Sequence, residues 1–293
     1  MPTTKANGLD IYHESFGDPA DPTLLLVNGL GTQAIGYEPE YCRALVELGL
    51  HVIRYDNRDV GLSTHIDADG GDLMEAFGTA VAGGEVPAPY TLSDMAADGM
   101  CLLAELGIEA AHVAGSSMGG MIVQAMAIEH PDRVLSMTSV MSTTGEVDYG
   151  MPDPDCLAGL ATIMAPAGTR AERIESGVEL QRLIGTPTEW DEQRTTERVS
   201  QQVDRAYDPD GTSRQMLAVL ASGSRSEGLA ALDLPTMVLH GDADRLVAIS
   251  GGERTAELVP GAEFRVMEGM GHDLPPAYWD RAVDAIGANI ARL

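Results

Sequence analysis

Apolar residues fall along this chain in short unbroken runs, with helix-spaced stretches between several of them. Residues Thr23–Val27 form the clearest run, and 51–55, 134–141, 236–239 and 264–267 read similarly, as does the shorter run 111–114. Runs of this length without polar alternation are expected of strands covered on both faces. Between them, Tyr41, Leu45 and Leu48 share one helical face, with Gly49 as a stop. Thr91 and Asp94 form a capping box ahead of Met95, Leu102, Leu103 and Leu106. Pro131 ends a helix that begins near Met118, and Pro275 and Pro276 precede a last helix carrying Trp279, Val283, Ile286 and Ile290. Strand alternating with helix predicts an α/β protein with a mostly parallel, eight-stranded sheet and helices on both faces. An N-terminal hairpin is expected over residues 9–16, turning through Gly17, Asp18 and Pro19.

One region breaks this rhythm. Residues 145–211 hold no clear buried strand but five prolines, with helical stretches near 157–164, 171–184 and 189–207. The reading is a core of residues 1–144 and 212–293 and a helical cap insertion over 145–211.

Composition narrows the function classes. The 293-residue chain carries a formal net charge of −27, and Lys5 is its only lysine. Nucleic acid and anionic membrane surfaces both reward positive charge, so neither is an expected partner. No run approaches the roughly 20 apolar residues of a membrane-spanning helix. Three cysteines, Cys42, Cys101 and Cys156, and a start without an apolar leader fit reduced thiols and a cytoplasmic location. No metal-ligand cluster or cofactor motif is read, and the expected state is monomer or homodimer.

The chemistry centres on Gly115-Ser116-Ser117-Met118-Gly119, which follows an apolar run and opens a helix. A G-x-S-x-G sequence in that context is the nucleophile elbow of a serine hydrolase. A serine hydroxyl is a poor nucleophile until a base takes its proton and a third group orients that base. On this architecture the order is serine, acid, histidine. Asp244 lies on the loop after the strand that ends near His240, and Asp242 is its rival. Of seven histidines, His272 follows the last apolar strand in Gly269-Met270-Gly271-His272. His112 and His240 sit inside strand runs and read as structural. The oxyanion of a tetrahedral intermediate needs fixed N–H donors. The backbone N–H of Met118 supplies one, and that of Leu30, in Asn28-Gly29-Leu30-Gly31, is the candidate for the second.

These motifs, with Asp56-Asn57-Arg58-Asp59-Val60-Gly61-Leu62-Ser63 and His240-Gly241-Asp242-Ala243-Asp244, resemble those of the α/β-hydrolase superfamily over nearly the whole chain. The resemblance implies that Asp244 is the triad acid and that the 56–63 turn is structural. Residues 16–22 and 49–56 are similar to the aclacinomycin methylesterase subgroup, which implies hydrolysis of a small ester, such as a methyl ester on a bulky polyketide. Asn28 stands where most relatives carry histidine. Ser116, before the nucleophile, reads as a small filler in preference to a donor of a nearby hydrogen bond.

Three functions are weighed. The first is a serine ester hydrolase acting through an acyl-enzyme on a small-molecule ester. The second is a perhydrolase, lactonase or C–C bond hydrolase using the same triad. The third is a binding protein on this fold with an unused triad. The pocket is expected to be apolar beneath the insertion and without an aromatic cage; Met151, Met164 and Leu183 either line it or pack the core of the insertion.

Overall fold

The computed structural model describes residues 3–164 and 168–293, with the side chains of 161–164 outside the description. Eight strands form one sheet in the order β1-β2-β4-β3-β5-β6-β7-β8. They are β1 (Thr3–Ala6), β2 (Leu9–Phe16), β3 (Thr23–Val27), β4 (His51–Tyr55), β5 (Ala111–Ser116), β6 (Val134–Val140), β7 (Thr236–Gly241) and β8 (Glu263–Met267). From β4 onward across the sheet all pairings are parallel, while β1–β2 and β2–β4 are antiparallel.

The helices are α1 (Pro39–Val46), α2 (Leu73–Val81), α3 (Leu92–Glu105), α4 (Met118–Glu129), α5 (Pro154–Met164), α6 (Arg170–Ile184), α7 (Glu192–Arg205), α8 (Pro209–Ser222), α9 (Ser226–Ala230), α10 (Ser250–Leu258) and α11 (Trp279–Ile290). Two cores sandwich the sheet. On one face Leu25, Ile53 and Val113 meet Met95 and Leu102 of α3 and Ile122 and Met126 of α4. On the other, Leu24, Leu26 and Val52 meet Tyr41 and Leu45 of α1 and Ala282 and Ile286 of α11. Strands β3 and β4 are therefore buried at every position. No helix among the described residues is long and apolar enough to cross a membrane.

Four details differ from the sequence reading. The hairpin turn is at Asn7-Gly8, not Gly17: both residues have positive φ, 50° and 79°, and β1 pairs with β2. Two such residues suit the tight turn that joins right-twisted strands. After Gly17 the chain passes to β3, which is not β2's neighbour, because β4 lies between them. Strand β8 is a half-exposed edge strand rather than a buried one. Leu48 falls beyond the end of α1 and is exposed. Residue 211, the expected return to the core, lies in the first turn of α8.

The Asp56–Ser63 turn after β4 is a cross-linking hub. Arg58 grips Asp98 of α3 through two bonds, Nε to Oδ2 at 2.6 Å and Nη2 to Oδ1 at 2.7 Å. Asn7 adds a third bond to Asp98 at 2.9 Å, so one buried carboxylate joins hairpin, turn and helix. Removing one partner of a buried ion pair strands the other charge. Asp98→Ala is therefore expected to cost about 3–5 kcal/mol, read as a lower midpoint in urea unfolding.

Candidate active site

The site starts from a backbone constraint. Ser117 joins β5 to α4 with φ 56° and ψ −121°, a conformation that L-residues rarely adopt. Its N–H donates to the Val140 carbonyl at 2.9 Å, and its own carbonyl accepts from Ser142 Oγ at 2.7 Å. Helix α4 crosses the end of β3 so closely that a Cβ on Gly119 would lie 2.1 Å from the Val27 carbonyl oxygen. A Cβ on Gly115 would lie 2.1 Å from the Gly119 carbonyl oxygen. Both glycines of the motif are thus required by close approach. Ser142 had no distinguishing sequence signal; only the sheet order places it under the elbow.

The structure brings the three distant side chains together. His272 Nε2 is 2.9 Å from Ser117 Oγ, and His272 Nδ1 is 2.7 Å from Asp244 Oδ2. The carboxylate can only accept, so Nδ1 carries the proton and Nε2 is left to accept from the serine hydroxyl. The second carboxylate oxygen, Oδ1, accepts the N–H groups of Leu246 and Val247, each at 2.9 Å. Burial opposes the charge on Asp244. The charge that His272 carries when protonated, hydrogen bonds from His240 and His272 and the Val247 N–H outweigh it and hold the carboxyl well below the usual carboxylate range.

The rivals have other work. Asp242 Oδ1 accepts the Gly269 N–H at 2.6 Å and fastens the loop that leads to His272. His240 donates Nε2–H to the Val247 carbonyl at 2.8 Å, supporting the turn that holds Asp244. Asp273, beside the base, accepts both the N–H and the hydroxyl of Thr186, at 2.9 and 2.6 Å. Burial raises its pKa against those two bonds and the His272 charge.

The Asn28–Gly31 loop lies against Ser117. A Cβ on Gly29 would touch Ser117 Cβ at 3.1 Å. Met118 N–H begins a helix and has no intrahelical acceptor. Among the described hydrogen bonds, neither Leu30 N–H nor Met118 N–H has a protein acceptor, whereas Gly31 N–H is taken by Gln215 Oε1 at 2.8 Å. The Asn28 amide nitrogen is buried without a partner, and Asn57 binds the Asn28 carbonyl at 3.1 Å. Ser116 is more than filler: its hydroxyl lies 2.7 Å from the Tyr37 hydroxyl.

Above Ser117 opens a cavity of about 490 Å³ that also touches His272, Leu30 and Met118. Its lining corrects two expectations. Leu183 packs with the α5–α6 core, the second of the two roles expected for it, and Met151 is exposed, so neither lines the cavity; the side chain of Met164 lies outside the described residues. Met118, Met121, Met141 and Met216 supply the lining sulfur instead. Aromatic rings are present after all: Tyr37, Tyr41, Phe77, Trp190, Tyr207 and Trp279 line the walls. They come from six separate elements or loops, so low aromatic content gave no hint of their convergence.

Asp59, His65 and Asp208 are the one set of metal-ligating side chains that gathers among the described residues. Their oxygens are already engaged. Arg214 binds both Oδ1 and Oδ2 of Asp59 at 2.8 and 2.9 Å and Asp208 at 3.2 Å, and Tyr90 donates to Asp59 at 2.6 Å. His65 lies between Asp208 Oδ2 at 2.6 Å and the Gly61 carbonyl at 3.1 Å. This donor set is a cross-link held by Arg214, Tyr90 and His65.

Comparison with known proteins agrees with the geometry. Residues 22–275 match the family described as alpha/beta hydrolase fold. Rhodomycin D methylesterase DnrP of Streptomyces peucetius is 30% identical, over 99% of this chain and 98% of its own. Rhodomycin D methylesterase DauP of Streptomyces sp. (strain C5) is 29% identical, over 95% and 94%. Among solved structures, a meta-cleavage product hydrolase, CumD, from Pseudomonas fluorescens IP01 superposes with a TM-score of 0.78 at 19% identity, covering 100% of this chain and 98% of that one. A thermophilic esterase from Thermogutta terrifontis gives 0.74 at 21%, covering 100% and 99%. The strand order, the elbow and these matches lead to one conclusion: the chain belongs to the α/β-hydrolase fold family.

Proposed function

We propose that the protein is a serine ester hydrolase in which Ser117 attacks, His272 moves the proton and Asp244 orients His272. The observation that carries this reading is the unbroken chain of contacts from Ser117 Oγ through both ring nitrogens of His272 to Asp244, at 2.9 and 2.7 Å. Ser117 Oγ adds to the ester carbonyl as Nε2 takes its proton. The oxyanion forms beside the Leu30 and Met118 N–H groups, which have no competing acceptor among the described residues. Collapse expels the alcohol, protonated by His272, and leaves an acyl-enzyme. Water then attacks by the same base and releases the acid.

The substrate in this reading is a methyl or other small ester on a bulky, largely apolar acid. Two observations support it: relatives named as methylesterases, and a cavity with four methionines and six aromatic rings around the nucleophile. Flat rings stack on such walls with little polar demand. Residues 145–211 act as the roof, since Leu160, Leu180, Trp190, Val199 and Val203 all face the cavity. A reducing, cytoplasmic setting fits three unpaired cysteines, two of them buried.

Two predictions test the reading. Ser117→Ala is expected to lower kcat on p-nitrophenyl butyrate by about 10³- to 10⁶-fold, and a fluorophosphonate should label the wild type at Ser117 alone. Retained turnover, or labelling elsewhere, contradicts the assignment. The same panel should show ester cleavage outrunning lactone and β-diketone cleavage; the reverse order favours the C–C or lactone chemistry.

Asp244→Asn is expected to lower kcat by about 10⁴-fold by favouring the wrong tautomer of His272. It also changes the acid limb of stability. A carboxyl held below its unfolded value of about 3.9 contributes stability that is full above that pH and lost as pH falls toward the folded value. Urea unfolding between pH 5 and pH 2.5 should therefore fall less steeply in Asp244→Asn than in the wild type.

A further inference from the structure

We propose that Tyr37 is a positioning residue that bolts the two halves of the oxyanion hole together. The inference rests on the reading of Ser117 as nucleophile. One donor of the hole, Leu30 N–H, belongs to the loop that begins after Val27. The other, Met118 N–H, belongs to the elbow that begins after Ser116. These two segments come from strands β3 and β5, and their spacing at the site is what the oxyanion feels. The Tyr37 hydroxyl contacts both. It donates to the Val27 carbonyl at 3.1 Å, and it lies 2.7 Å from Ser116 Oγ. A phenol has one proton, so donation to Val27 makes Ser116 the donor of the second bond. No hydroxyl proton then remains for the substrate, so Tyr37 acts through the backbone it holds.

The ring is well suited to this work. It is 8% exposed and stacks on Tyr41 at 5.9 Å, and Tyr41 in turn packs against Trp279 at 5.8 Å. Its backbone carbonyl accepts from the Arg54 guanidinium and, at 3.7 Å, from Cys42 Sγ. Burial pushes the phenol's pKa up, so it stays protonated and able to donate at any working pH. The Val27 carbonyl it grips is the same oxygen against which Gly119 packs. One hydroxyl therefore fixes the crossing of β3, β5 and α4 from the cavity side.

The bolt has a kinetic signature. A small displacement of a preorganised donor weakens the transition state more than the ground state. Tyr37→Phe keeps the ring and its stacking and removes only the hydroxyl. It should lower kcat by about 10- to 100-fold while KM stays within about twofold. A trifluoromethyl ketone, whose hemiketal oxyanion occupies the same hole, should lose affinity by the factor that kcat/KM loses. Ser116→Ala, which breaks one of the two bonds with little risk to folding, should lower kcat about 10-fold. The double variant should be no worse than Tyr37→Phe, since both remove one coupled unit.

The experiment measures kcat, KM and hemiketal affinity for the wild type, Tyr37→Phe, Ser116→Ala, the double variant and Ser117→Ala. Unchanged kcat in Ser116→Ala and Tyr37→Phe overturns the inference, as does a KM rise at constant kcat or a kcat loss with hemiketal affinity intact. Should Tyr37→Phe fail to fold, Ser116→Ala decides alone. Full turnover in Ser117→Ala instead removes the nucleophile reading, whereas an inactive Ser117→Ala beside fully active Tyr37→Phe and Ser116→Ala removes only the bolt.

Discussion

The whole site depends on one contact, the seating of Gly119 against the carbonyl oxygen of Val27. It lets α4 start where β3 ends, with no side chain between them. The chain can then turn from β5 into α4 only through the rare backbone geometry of Ser117. A residue held there costs roughly 1–3 kcal/mol unless its surroundings fix it. Here they do, because the elbow's N–H and carbonyl are both bonded within the fold, to Val140 and Ser142. The strain is useful. It lifts the hydroxyl off the sheet and sets it beside the loop that follows Val27.

Around that contact, excess acid is converted into structure. The net charge is −27, yet the carboxylates nearest the site are engaged. Asp56 takes the N–H of Ala34 and, at 2.8 Å, that of Leu62, and pairs with Arg205 of α7 at 2.8 Å. Asp59 pairs with Arg214 of α8. One turn after β4 thus holds helices that lie between β6 and β7 in the chain. Buried charges are tolerable only when paired and hydrogen-bonded, and each of these meets an arginine. Cations are few, and this is where several of them are used.

Much of this was legible in the residues. Glycines at 115 and 119 around Ser117, an acid and then a histidine after later strands, and five of the apolar runs each had a local physical cause that spacing reveals. The elbow, Asp244 and His272 follow from chemistry that tolerates few substitutes. What spacing could not reveal was lateral order. The hairpin was misplaced because Gly17-Asp18-Pro19 looks as turn-prone as Asn7-Gly8, and only strand order decides between them. The cavity lining failed for the same reason. Six aromatic residues scattered from Tyr37 to Trp279 meet only once the sheet is assembled. The residues around Ser116 favour a filler over a hydrogen-bond donor because its partner, Tyr37, is far away in sequence.

Helix α6 and the Ser117–His272–Asp244 contacts are also less separate than the chain order suggests. His272 N–H donates to the Ile184 carbonyl at 2.7 Å, and Gly271 N–H donates to Thr186 Oγ1 at 3.0 Å. Thr186 passes its own two donors to Asp273. His272 is therefore hung between the sheet, through Asp244, and the end of α6, through its backbone. Leu30 packs its side chain against the same α5–α6 cluster of Cys156, Leu160, Leu180 and Ile184. A shift of α6 would pull on the loops that carry His272 and Leu30 together. Restoring α6 restores both. One helix therefore bears on two loops that the chain order keeps far apart, and their spacing at Ser117 depends on where α6 rests.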